Sequence, residues 1–172
     1  LARIAQARGR QSLCGDYIHK IQRAMVAQEY HIDWLTNAHA TMLSYWDASN
    51  DREAVERWLT EAPPYDTETA TNHFLQCNAR NWARAYMTLG RLDEAERILT
   101  GLMTTGRRHA LQTDINRNAI NLAQLHWLKE EREASIACME EAIRLASTTG
   151  AVGSFLRIGK VLINILKSLL QT

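Results

Sequence analysis

Asn, Gln, His and Arg crowd three stretches of this sequence at helical spacing. The first holds Tyr30, His31, Asp33, Trp34 and Asn37, the second His73, Gln76, Arg80, Asn81 and Arg84, and the third Asp114, Arg117, Asn118 and Asn121. His73, Gln76, Arg80 and Arg84 fall three or four residues apart, so one helix face carries all four. Asp114, Arg117 or Asn118, and Asn121 share a face in the same way. Solvent-facing helix positions are ordinarily written in Glu and Lys, which keep helix propensity, whereas Asn lowers it. Planar amides, imidazole and guanidinium in this density therefore point to hydrogen bonding with something neutral and polar. Trp and Tyr beside them suit a sugar: aromatic faces cover the C–H side of a pyranose, and fixed donors and acceptors read its hydroxyls. The competing reading is that the same residues bridge neighbouring helices and satisfy their packing.

Other chemistries find little in the residue pattern. None of the six histidines stands in H-E-x-x-H or pairs with a cysteine at zinc spacing, and each reads as a surface or groove histidine. No G-x-x-x-x-G-K-[ST] or G-x-G-x-x-G loop is present to cradle a nucleotide phosphate. Cys77, between Gln76 and Asn78, has no evident base and orienting acid, so it reads as an inert buried thiol. Twenty Lys and Arg against nineteen Asp and Glu leave a formal charge of +1, with no field to draw nucleic acid or a membrane surface. Cys14, Cys77 and Cys138 are scattered, as in a reduced, cytoplasmic protein. No stretch reaches the roughly 20 apolar residues that span a bilayer. Leu1 opens in mid-helix without a secretory leader, so a soluble piece of a longer polypeptide is expected.

The elements that must position these residues are helices. Apolar residues make up 46%, and the two prolines are Pro63 and Pro64. Tyr86 to Leu99 reads as a helix end, a tight turn at Gly90 and the start of an antiparallel helix. Gly90 takes a left-handed backbone without steric cost, and Asp93 and Glu94 fall in the next first turn, where the helix dipole favours carboxylates. Ala95 marks a close helix crossing; Ala54 stands 41 residues before it and Ala134 39 after it. A frame of about 40 residues is that of a helix pair somewhat longer than the ~34-residue tetratricopeptide unit. The pairs fall at about 1–28, 30–61, 71–103 and 109–147, followed by an unpaired last helix over 151–170. Arg80-Asn81 and Arg117-Asn118 read as one dipeptide in successive repeats. Pro63-Pro64 stops one helix, and Thr104-Thr105-Gly106 is expected to stop another. The fold class is all-α: tetratricopeptide-like helix pairs forming a right-handed superhelix, one domain over 1–172, with first helices lining its concave groove. Trp46, Trp58, Trp82 and Trp127 read as core.

Five runs carry a family resemblance. They are Leu1-Ala2-Arg3-Ile4-Ala5-Gln6-Ala7-Arg8-Gly9, Tyr30-His31-x-Asp33-Trp34-x-x-Asn37-Ala38, Asn72-His73-Phe74-Leu75-Gln76, Arg80-Asn81-x-Ala83-Arg84-Ala85 and Asp114-x-Asn116-Arg117-Asn118. In this order they resemble the superhelical sensor of MalT-like activators of maltose regulons, over most of residues 1–150 and fading after Gly150. The resemblance implies an ATP-dependent regulator of the signal-transduction ATPase class with a LuxR-type DNA-binding end, of which this is the later part of the sensor. It implies maltotriose or a similar small oligosaccharide as inducer, self-association of the full-length regulator, and inhibitory protein partners that favour the other state. ATP is expected on a domain outside this sequence, so no cofactor is expected here, and no nucleic acid binding by this segment alone. The resemblance does not fix which positions touch the sugar; the groove residues named above are candidates on physical grounds. The alternative is a protein-binding tetratricopeptide-like scaffold whose groove takes a partner peptide or helix. On either reading the segment is not an enzyme.

Overall fold

The computed structural model describes residues 1–27, 30–157 and 160–170; residues 28–29, 158–159 of the expected last helix and 171–172, and the side chains of residues 32, 156, 157 and 160, lie outside that description. Among the described residues there are nine α-helices and no strand, which bears out the all-α class. The chain divides into two compact units, 1–63 and 64–172. The first holds α1 (Ala2–Ala7), α2 (Gln11–Ala27), α3 (Ile32–Ser49) and α4 (Arg52–Glu61). The second holds α5 (His73–Thr88), α6 (Leu92–Arg108), α7 (Gln112–Leu128), α8 (Arg132–Thr149), a 3-10 turn (Val152–Arg157) and α9 (Lys160–Leu169).

One hydrogen-bonded turn closes every pair. A residue with left-handed backbone follows each first helix: Gly9 (φ 69°), Asn50 (φ 55°), Gly90 (φ 77°) and Glu130 (φ 64°). Gly90 N–H donates to the Met87 carbonyl at 3.1 Å and Arg91 N–H to the Tyr86 carbonyl at 2.9 Å. Glu130 and Glu131 repeat this toward Trp127 and His126, at 3.2 and 2.9 Å. This double closure is the Schellman motif, which satisfies carbonyls left open in the last helical turn. The left-handed residues lie 40 or 41 positions apart, and they correct the alignment read from the alanines. The fifth residue after Gly90 is Ala95; the same place after Asn50 and Glu130 holds Val55 and Ser135, and all three are fully buried. Ala54 and Ala134 stand one residue earlier. The repeat demands complete burial at that place, not alanine.

Two helix ends differ from expectation. Helix α6 runs through Thr104-Thr105-Gly106 to Arg108. Gly106 serves packing: a Cβ there would lie 3.1 Å from Ile115 Cγ1. The left-handed residue comes later, at Ala110 (φ 54°), where Leu111 N–H closes on the Gly106 carbonyl at 2.9 Å. The last stretch divides into the 3-10 turn and α9, and α9 packs on α7 and α8 with Ile165 fully buried.

The core of the second unit interleaves small and large residues. Ala79 and Ala83 of α5 and Ala119 and Ala123 of α7, 40 positions apart, are all fully buried, while Leu99, Leu102, Leu125 and Met139 supply bulk. Each of these large side chains contributes roughly 1.5–3 kcal/mol by its burial. The polar link before α5 belongs to this unit. Asn78 Nδ2 donates to the Pro64 carbonyl at 2.8 Å, Thr105 Oγ1 to Thr67 at 2.7 Å, and Gln76 Nε2 to Ala70 at 2.8 Å.

Candidate functional site

The link matters because it anchors one end of a buried polar chain between α5 and α7. Gln76, tied to Ala70, accepts from Asn118 Nδ2 at 2.9 Å, and Asn118 Oδ1 accepts from Arg80 Nη1 at 3.0 Å. The other guanidinium nitrogen, Nη2, donates to Asp114 Oδ1 at 2.8 Å. Gln76, Arg80, Asp114 and Asn118 are all buried, so five side-chain and backbone partners form one chain away from water. Such a chain is stable only when every member is satisfied.

At its open end the chain meets His73 and Arg117. His73 Nδ1 lies 2.8 Å from Asp114 Oδ1, and Arg117 Nη1 lies 2.8 and 3.1 Å from the two ring nitrogens of His73. In the tautomer with the proton on Nδ1 the ring donates to Asp114, and Nε2 is then the nitrogen able to accept from Arg117. Arg117 Nη1 is also 3.7 Å from Asp114 Oδ1. Burial works against the Asp114 charge, but the His73 hydrogen bond and the Arg80 guanidinium outweigh it, holding the carboxyl below its ordinary range. His73, with its side chain 39% exposed, and half-buried Arg117 bring this chain to the surface.

The structure therefore joins His73, Gln76, Arg80, Asp114, Arg117 and Asn118. Asn121 donates instead to the Arg117 carbonyl of its own helix at 2.8 Å, and Asn81 is buried while Arg84 is half-buried. In the repeat frame Asn81 matches Asn121, and Asn118 matches Asn78. The two Arg-Asn dipeptides are thus about one helical turn out of register, and this offset lets Arg80 reach Asn118.

The first-unit candidates form a separate cluster at the start of α3. His31 caps the helix, accepting from Asp33 N–H at 3.4 Å, and Asn37 donates to the Asp33 carbonyl at 3.2 Å. The Tyr30 and Trp34 rings stack with centroids 4.1 Å apart, and Trp34 is exposed. This is an aromatic platform beside a carboxylate.

One concavity went unmarked by the polar pattern. It is a cleft of about 310 Å³ in the first unit, with His39, Met42, Trp46 and Trp58 among its lining residues. His39, expected at the surface or in a groove, is only 6% exposed. The repeat frame supplies the signal that would have found it: His39 stands where the later repeats place Ala79 and Ala119.

Helix pairs closed by a common turn, with first helices bridged through buried polar side chains, define the class: a tetratricopeptide-like repeat protein. The crystal structure of BtubC (BKLC) from P. vanneervenii shares this fold, with a TM-score of 0.55 at 15% identity, over 99% of this chain and 72% of that one. Within the class, the chain belongs to the MalT-like TPR region family, which matches residues 1–172. It is 38% identical over 169 residues to the HTH-type transcriptional regulator MalT of Vibrio parahaemolyticus serotype O3:K6, covering 98% of this chain and 18% of that regulator. It is 34% identical over 171 residues to the HTH-type transcriptional regulator MalT of Yersinia enterocolitica serotype O:8, covering 99% and 19%. The chain thus spans about a fifth of the length of the regulators it matches.

Proposed function

We propose that this segment is the non-catalytic, inducer-sensing part of a transcriptional activator, and that it binds maltotriose or a similar oligosaccharide and couples it to self-association. Family membership supports the regulator, and one observation supports the sensing. A continuous hydrogen-bond chain runs from part-exposed His73 and half-buried Arg117, through Asp114, Arg80, Asn118 and Gln76, to the backbone of the link at Ala70. A ligand hydroxyl that takes His73 removes one of the two side chains that hydrogen-bond Asp114 and leaves Arg80 to hold it, while one that takes Arg117 frees the His73 ring. An oligosaccharide then acts by binding one arrangement more tightly than the other, the sole way a ligand shifts an equilibrium. Inhibitory protein partners would favour the unliganded arrangement, and ATP would act on a domain outside this segment.

Calorimetric titration with maltotriose tests this reading. Saturable heat is expected for the wild-type chain, and its loss in His73→Ala and Arg117→Ala while helical circular dichroism is retained. Absence of both heat and a thermal shift at about 10 mM sugar, ten times a ~1 mM Kd, would count against it. The second reading, a scaffold that binds a peptide or helix, draws on the internal satisfaction of Gln76, Arg80, Asp114 and Asn118, which leaves few of their donors for a sugar.

A further inference from the structure

The cleft between α2, α3 and α4 lies within the first unit, and none of the polar candidates for the sugar lines it. Its inner wall is Met42, Trp46 and Trp58, each at most 7% exposed, and its mouth carries Gln22, Arg57 and Glu61. His39 sits among the apolar residues with its ring edge-on to Trp58, centroids 5.6 Å apart at 80°. Among the described residues no hydrogen-bond partner reaches His39 Nδ1, which is buried. Burial alone pushes the imidazole down to about 4, so the ring is neutral at physiological pH. A neutral imidazole has one donor and one acceptor nitrogen, and leaving one unmet in a buried place is costly.

The repeat frame shows that the fold does not require these residues. The later pairs put Ala79 and Ala119 where His39 stands, and Ile98 and Cys138 where Trp58 stands. A core position that two sister repeats fill with alanine carries here an imidazole whose Nδ1 meets no partner among the described residues, and it borders a cleft of about 310 Å³. That volume is at the small end of ligand sites, enough for a single ring-sized molecule.

We propose that this cleft binds a small, uncharged molecule with an apolar, ring-sized body and one hydroxyl or amide that hydrogen-bonds His39. The charges at the mouth, Arg57 and Glu61, are opposite and select neither an anion nor a cation, so the buried apolar wall sets the ligand's character. The apolar body packs on Met42, Trp46 and Trp58. The inference does not rest on the sugar reading, because the two sites share no residue.

The test uses phenol as probe and benzene as its counterpart without the hydroxyl, titrated into the whole chain while the indole N–H signals of Trp46 and Trp58 are followed by two-dimensional NMR. Saturable shifts of these two signals are expected, with phenol binding about fivefold tighter than benzene, the worth of one net hydrogen bond. In His39→Leu the margin should fall to near one while benzene binding persists. If that variant loses helicity, the wild-type chain still decides: intermolecular NOEs from phenol to the Met42 methyl and the His39 ring are expected, and NOEs confined to other residues overturn the proposal. So does the absence of shifts at Trp46 and Trp58 by about 10 mM phenol, or a phenol margin unchanged in folded His39→Leu. N-acetyltyrosinamide separates a free molecule from the same ring on a partner's chain: weaker binding than phenol supports the proposal, and tighter binding overturns it in favour of a side-chain pocket.

Discussion

Arg80 and Asp114 carry the sharpest stability consequence. Both are buried and 2.8 Å apart, and removing one partner of such a pair strands the other charge, at a cost of about 3–5 kcal/mol. Arg80→Met should therefore lower the urea midpoint strongly, while adding Asp114→Leu should restore part of the loss. A single-variant cost below about 1 kcal/mol would show that the pair is solvated in solution. The same burial makes Arg80 and Asn118 poor probes of sugar binding, since their replacement confounds folding with affinity; His73 and Arg117 at the open edge are better ones. His39 sets a pH dependence. Its pKa falls from 6.5 to about 4 on folding, so the unfolded chain binds more protons between those values. The stability present above about pH 6.5 is lost as pH falls toward 4, with a slope approaching ~1.4 kcal/mol per unit. Chemical denaturation of wild type and His39→Leu at several pH values should show that slope in the difference between them, with Arg57 and Glu61 as neighbouring charges common to both. Parallel curves would disprove the neutral buried ring.

At the scale of elements, the repeated Schellman turn makes its own prediction. Gly90 meets the left-handed requirement with glycine, whereas Glu130 and Ala110 hold φ of 64° and 54° with side chains. Left-handed backbone costs a non-glycine L-residue roughly 1 kcal/mol. Glu130→Gly and Ala110→Gly should each raise stability by a few tenths to about 1 kcal/mol in thermal melts, less the entropy glycine gives up on folding. Gly90→Ala should lower it by a similar amount, although among the described residues nothing lies within 4 Å of the added Cβ. Gly101 presents the opposite situation. Its added Cβ would lie 2.7 Å from Thr67 Oγ1 and 2.9 Å from Thr67 Cβ. Gly101→Ala should therefore destabilise by about 1–3 kcal/mol through overpacking, outweighing the ~1 kcal/mol that alanine gains in helix propensity. A more stable variant would mean that the link moves aside at no cost.

For the whole molecule, the link marks where the second unit begins. Pro64, Thr67 and Ala70 each give a carbonyl to a buried side chain of the second unit. A piece spanning 64–172 should thus melt cooperatively and more stably than one spanning 73–172, by about 3 kcal/mol for three hydrogen bonds with their buried partners left unmet. Equal melts would assign the link no part in the fold.

The sequence by itself determined the all-α class, the 40-residue frame and the family, because helical periodicity, a turn glycine and rare polar words are local and survive as letters. It also singled out His73, Gln76, Arg80, Asp114, Arg117 and Asn118, since Asn and Arg in such density cost helix propensity and need a reason. Only the tertiary structure decided where those side chains go. Arg80 pairs with Asp114 and Asn118 because α5 and α7 lie against each other about one turn out of the letter-for-letter register, and letters carry no register. The same holds for Gly106, read as a stop yet used for close approach to Ile115, and for His39, whose burial depends on α4 bringing Trp58 against it. Which face of a helix is covered depends on partners distant in sequence, and that distance is bridged only when the chain folds.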